Sequence, residues 1–342
     1  MTTAYVTHED YDKHSMDGHP EHAERLRCVR ALLQTRSLLD KLHPIPPHPA
    51  AAAQLALIHT PDYVALIERA ARQGGGMLDP DTYLLPGSYE IAQLSAGGVI
   101  AAVDAVMGGQ ADNAIALVRP PGHHALPNRG MGFCIFNNAA IAVRHAQKAY
   151  GIEHVMIVDY DVHHGNGTEV AFYDDPSVFY VSTHQYPFYP GSGALHDIGR
   201  GEGIGATLNM PLRAGVGSQG FKALFEQVLW PAARRFKPDL ILVSAGFDAH
   251  WDDPLAMLEL DLEGYTHIAR ELVRMAGELC GGRLVVTLEG GYNLDALSYG
   301  ILNLCYALLG EDIIEDPLGP SGGYEPSVAK LIDDLRTLHR LG

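Results

Sequence analysis

The sequence predicts a single α/β domain over residues 1–342, with a mainly parallel central sheet and helices on both faces. Three observations carry that expectation. Short runs rich in Val, Ile and Leu recur along the chain, helix-like stretches separate them, and polar clusters follow directly after the runs. Strands buried on both faces read as such apolar runs. Their alternation with helices implies a parallel sheet.

The expected strands are Ile115–Val118, Val155–Val158, Val178–Val181, Leu240–Val243 and Leu284–Leu288. Between them, helices are expected over Glu21–Leu39, Ser88–Met107, Asn137–Tyr150, Ser218–Phe236, Leu262–Leu279 and Leu294–Leu309. The stretch from Glu311 to Gly342 reads as a loop followed by a helix. The proline-rich segment His43–Pro49 is a stiff connection, too short and too early to separate two domains.

With 342 residues, 47% hydrophobic and 19% charged, the chain has ample material for a core. No membrane span is expected, because no 18-residue apolar run stands out. The N-terminus lacks a basic segment followed by an apolar stretch, so it does not read as a secretory signal. Cys28, Cys134, Cys280 and Cys305 are scattered, without CxxC spacing, as free thiols in a reducing compartment would be. A cytoplasmic location is therefore expected. A net charge of −17 argues against a nucleic-acid-binding face. The same charge could attract cationic substrates or simply keep the chain soluble.

The strand ends carry the chemistry. Ile115–Val118 runs into Arg119–His124, and Val155–Val158 into Asp159–Gly167. Leu240–Val243 runs into Ser244–His250, and Leu284–Leu288 into Glu289–Asn293. Ligands of open α/β sheets bind beyond the carboxyl ends of the strands, so four polar clusters there converge on one crevice. Asp161 and His163, two residues apart at a strand end, share a face, and Asp159 shares that parity. Asp248, from another strand end, could be a third ligand. Three mixed oxygen and nitrogen donors leave an open position, the arrangement of catalytic zinc. Taken singly, each element also reads as an ordinary turn, a surface histidine pair or a core aromatic. Their coincidence at the strand ends favours the catalytic reading.

At these residues the sequence resembles the histone deacetylase family, in particular its class II branch and bacterial relatives that include acetylpolyamine amidohydrolases. The likeness runs through Gly18–Leu26, His59–Tyr63, Arg119–His124, Gly132–Asn138, Asp159–Thr168, Tyr189–Gly193, Ser244–His250 and Glu289–Asn293. The resemblance implies an arginase/deacetylase fold with eight strands. It implies one catalytic zinc on Asp161, His163 and Asp248. His124 would be the general base and then the acid for the leaving amine, with His123 its electrostatic partner, oriented by Asp159. Tyr292 would donate to the developing oxyanion. Gly132, Phe133 and Tyr189 would line an acyl-lysine tunnel. Potassium would bind near Asp159, Asp161, His163 and Ser182, and again near Phe172 and Val178.

Three residues qualify this carry-over. Asn166 stands where class I members have an aspartate behind the second histidine, and a neutral partner stabilises imidazolium less than a carboxylate would. Tyr189 replaces the more usual phenylalanine of the tunnel wall. Leu255 occupies a place where polyamine deacetylases tend to carry an acidic gatekeeper. The implied reaction is hydrolysis of N-acetyl-lysine in a peptide or protein, the alternative substrate being an acetylpolyamine or similar acylated amine. A binuclear manganese ureohydrolase would need more carboxylates, and a silent acyl-lysine binder would have lost a ligand, the base or the tyrosine. No Gly-x-Ser-x-Gly elbow supports a serine nucleophile. The number of copies in the assembly is not indicated.

Overall fold

The computed structural model describes residues 1–342. Its main sheet has eight strands: β1 (Thr3–Val6), β2 (His43–Pro44), β5 (Asn113–Ala116), β6 (Val155–Asp159), β7 (Val178–Gln185), β8 (Thr207–Leu212), β9 (Leu240–Ala245) and β10 (Leu284–Leu288). A small antiparallel pair, β3 (Gly76–Met77) and β4 (Tyr83–Leu84), lies apart from it. The main sheet runs in the order β2-β1-β5-β10-β9-β6-β7-β8, and every neighbouring pair is parallel. Every residue of β5, β6, β7, β9 and β10 is buried, which explains their apolar runs, while the polar residues Ser182–Gln185 of β7 lie at its carboxyl end.

Helix starts follow local chemistry. Asn137 accepts from Ala140 N (2.9 Å) to open the helix Asn138–Tyr150, and Asp261 accepts from Gly264 N (2.7 Å) to open Leu262–Leu279. Asn293 accepts from the backbone N–H groups of Asp295 and Ala296 at the start of Leu294–Leu308. The helix Ser88–Met107 is long and apolar enough to cross a membrane by length and composition alone, a feature the sequence reading passed over. Here 72% of that apolar stretch is buried in the protein core.

The structure moves several expected boundaries. The strand expected at Ile115–Val118 lies at Asn113–Ala116, although Leu117 N still donates to Val6 O (2.8 Å). The helix expected from Glu21 begins at Glu24 and ends at Thr35. The helix expected over Ser218–Phe236 is divided by a π-turn at Phe225–Leu229 before Trp230–Phe236. Pro231 has no N–H for the carbonyl four residues back, so an unbroken α-ladder cannot run through it. The C-terminal helix occupies Ala329–Leu338.

Register sets the site. Asp159, at the carboxyl end of β6, pairs with Ser182 of β7 on one side and Ser244 of β9 on the other. Ser244 in turn pairs with Thr287 of β10. The four adjacent strands β5, β10, β9 and β6 therefore deliver His123 and His124, Tyr292, Asp248, and Asp161 with His163 to one edge.

Candidate active site

Asp161 and His163 do not lie on strand β6, which ends at Asp159, so strand alternation is not what aligns them. Successive two-residue turns do so instead. Asp161 N donates to Asp159 Oδ1 (3.2 Å), and His163 N donates to Asp161 Oδ1 (2.9 Å). His163 Nδ1 then lies 3.2 Å from Asp161 Oδ1 and 3.2 Å from Asp248 Oδ2. Donor atoms about 2.0–2.1 Å from one tetrahedral ion would be about 3.3 Å apart.

The donor set fits a divalent metal for a second reason. Asp248 Oδ1 accepts from Val162 N (3.0 Å), but buried Oδ2 has no hydrogen-bond partner. An unsatisfied buried carboxylate oxygen is costly, and a cation would satisfy it. The backbone is kept close by glycine. A Cβ on Gly290 would stand 2.2 Å from Asp248 Oδ2 and 2.6 Å from Asp161 Oδ2, and one on Gly246 would stand 2.2 Å from Asp161 Oδ2. A second cluster of donor atoms, from His123, Cys134 and Glu289, is also compact. Its members are already bonded: His123 to Asp159, Cys134 to Gly132 O, and Glu289 to Gly122 N, His123 N and the Ser244 hydroxyl.

The two adjacent histidines have unlike surroundings. Their rings lie 4.0 Å apart and both are buried. His123 Nδ1 is 3.1 Å from Asp159 Oδ2, and its Nε2 is 3.8 Å from Asp161 Oδ1. Burial alone would disfavour its cation, but the two carboxylates outweigh that and push His123 up to about 10. His124 has Asn166 Oδ1 at 2.8 Å. Burial, with the charges of His123 and His163 beside it, holds His124 well below the ordinary histidine value. These surroundings favour the charged form of His123 and the neutral form of His124.

Aromatic side chains surround this group. Tyr189 meets His124 edge-on at 5.2 Å, Phe133 meets Tyr292 at 5.8 Å, and Phe188 stacks on His163 at 5.5 Å. Phe133 has a left-handed backbone (φ 69°), and its N–H donates to the Thr82 hydroxyl (3.0 Å). Gly132, also left-handed, lies against His124, where a Cβ would stand 2.4 Å from the ring. Leu255 is half-buried on the turn after Asp248, its N–H on Asp253 Oδ1 (2.9 Å). Ser182 Oγ lies 2.9 Å from His184 Nδ1. Phe172 ends the helix Asn166–Phe172, and Val178 opens β7 at the amino end of the sheet, away from the histidine pair.

Sequence reasoning assigned no role to several residues that hold the site. Glu289, fully buried, pins the loop bearing the histidine pair through Gly122 N (2.7 Å) and His123 N (3.2 Å). Tyr180 donates to Asp159 Oδ2 (3.2 Å) from β7. Arg25 donates to Gly291 O (2.7 Å) and Glu289 O (2.6 Å), and its guanidinium lies 5.0 Å over the Tyr292 ring. His164 Nδ1 is 2.8 Å from Ser192 Oγ, tying the loop of Tyr189 to the segment bearing His163. Glu289 sat in a quoted motif and Arg25 in another, so proximity to motifs was the available signal. Tyr180 carried none.

A parallel α/β sheet with this cluster at its carboxyl edge defines an enzyme of the deacetylase and amidohydrolase class. Residues 19–308 match the family described as histone deacetylase domain. The chain is 41% identical to the histone deacetylase-like amidohydrolase of Pseudomonas aeruginosa, over 88% of this chain and 80% of that protein. It is 37% identical to the human polyamine deacetylase HDAC10, over 94% of this chain and 50% of that protein. Among solved structures, the HDA15 HD domain superposes with a TM-score of 0.91 at 36% identity, covering 99% of this chain and 94% of that one. The chain belongs to the histone deacetylase family.

Proposed function

We propose that this protein is a zinc-dependent deacetylase that hydrolyses the acyl-amide of N-acetyl-lysine in a peptide or protein. The observation that carries the reading is the trio Asp161, His163 and Asp248, with its orphaned buried oxygen, beside a buried histidine whose pKa is lowered by burial and by the charges of His123 and His163. Zinc held by those three residues would lower the pKa of a water and polarise the substrate carbonyl. His124 takes the proton from the attacking water and returns it to the leaving amine. His123, charged between Asp159 and Asp161, supplies positive charge beside the reacting centre. Tyr292 donates its hydroxyl to the developing oxyanion, a contribution of about 3 kcal/mol in comparable sites. Phe133, Tyr189 and Gly132 wall the acyl-lysine chain. Potassium ions near Ser182 and near Phe172 and Val178 would be structural. All four cysteines are free thiols, in keeping with work in a reducing compartment such as the cytoplasm.

Acylated polyamines are the second reading, favoured by the likeness to a protein named polyamine deacetylase. Leu255 favours the first, because an apolar side chain there offers no partner for a second ammonium group. The test compares kcat/KM for an acetyl-lysine peptide and for N-acetylated spermidine. A preference for the peptide, moved towards spermidine by Leu255→Glu, is the expected result. A strong spermidine preference in the native chain would replace the first reading with the second.

A further inference from the structure

Tyr292 projects from a short loop between β10 and the helix Leu294–Leu308, and its placement depends on how that loop is held. Asp253 lies on the turn after Asp248 and is 6% exposed. Its Oδ2 accepts from Tyr292 N (2.7 Å) and Asn293 N (3.1 Å), while its Oδ1 accepts from Leu255 N (2.9 Å). Asn293 returns the connection, its Nδ2 donating to Asp252 O (3.0 Å) and Asp252 Oδ2 (2.9 Å). One buried carboxylate thus fixes the backbone of Tyr292 and the turn bearing Leu255.

We propose that Asp253 is a positioning residue for the reaction, acting through Tyr292 by fixing the backbone from which that hydroxyl projects. This inference rests on the role given to Tyr292 above. A hydroxyl displaced by about 1 Å from a developing charge can cost on the order of 100-fold in rate. Asn at 253 keeps the size of the side chain but offers one acceptor oxygen, so its NH₂ must face a backbone N–H donor.

The experiment is a double-mutant cycle in the full-length zinc-loaded enzyme, with Asp253→Asn, Tyr292→Phe and both together. Metal content and thermal melting are measured on each. Asp253→Asn is expected to lower kcat roughly 10- to 100-fold with little change in KM and with metal content unaltered. In the Tyr292→Phe background the same substitution should add less than about twofold, because the group it positions is gone. Losses that multiply, or a kcat equal to wild type in Asp253→Asn, would overturn the role of Asp253. Full activity in Tyr292→Phe alone would instead overturn the reading of Tyr292. If Asp253→Asn does not fold, Asn293→Asp takes its place, keeping the helix cap while losing the donor to Asp252. It is held to the same non-additivity with Tyr292→Phe.

Discussion

Asn166 Oδ1 lies 2.8 Å from Nδ1 of His124, and no carboxylate takes that place. The adjacent His123 has a carboxylate in the same position, which favours its cation, while burial and the charges of His123 and His163 favour a neutral His124. Asn166→Asp would stabilise the imidazolium of His124, which must be neutral to accept a proton. The acid limb of kcat/KM should move to higher pH, by about one unit. A pH–rate profile of the two proteins checks this, and an unmoved limb would count against His124 as the base.

The same asymmetry ranks the two histidines. On the proposed mechanism His124→Ala removes the proton acceptor and is expected to lower kcat by roughly 10²–10⁴. His123→Ala removes a neighbouring charge and should cost less. Single-turnover rates with an acetyl-lysine peptide decide the order, and the reverse ranking would mean that the two roles are exchanged.

Gly290 separates the proposed ligands Asp161 and Asp248 from the backbone behind them. Gly290→Ala would press a methyl group against Asp248 Oδ2 and Asp161 Oδ2. Because Gly290 N also donates to Asp161 Oδ2 (2.8 Å), that carboxylate cannot retreat without losing the bond. Metal content after dialysis should fall well below that of the native chain, while the circular dichroism spectrum is kept. Full metal retention would show that the cluster yields more easily than this geometry allows.

Glu21 is fully buried between Arg119, which engages both its oxygens, and Arg25 at 3.1 Å. Burial opposes its charge, but Arg119 and Arg25 prevail and hold the carboxyl down at about 2. A depressed carboxylate adds stability above its unfolded value, near 4.5, and that stability is lost as pH falls towards 2. Glu21→Gln should destabilise the protein at pH 7 by roughly 3–5 kcal/mol, since it leaves buried guanidinium groups unpaired. It should also flatten the dependence of stability on pH between about 4.5 and 2. Chemical denaturation at a series of pH values measures both.

Much of the sheet was legible because β6, β7, β9 and β10 are buried and each opens with a run of at least three apolar residues. β1 and β8 escaped notice for physical reasons. Thr3–Val6 is four residues long, and Thr207–Leu212 carries Thr, Asn and Pro among its apolar residues. The candidate ligands were legible as types at strand ends, yet the parity argument for Asp161 and His163 gave the wrong cause. Side-chain-to-backbone turns, which leave little mark on periodicity, align them instead. Glu289, Arg25 and Asp253 act by hydrogen-bonding backbone groups far away in sequence. Such partners emerge only when the chain is folded.

The most direct test of the central claim is hydrolysis of an acetyl-lysine peptide by the purified protein, before chelation, after it, and with zinc restored. Turnover that disappears as the metal is removed and returns with about one zinc per chain is the expected result. Undiminished turnover by protein shown to be free of metal would contradict it.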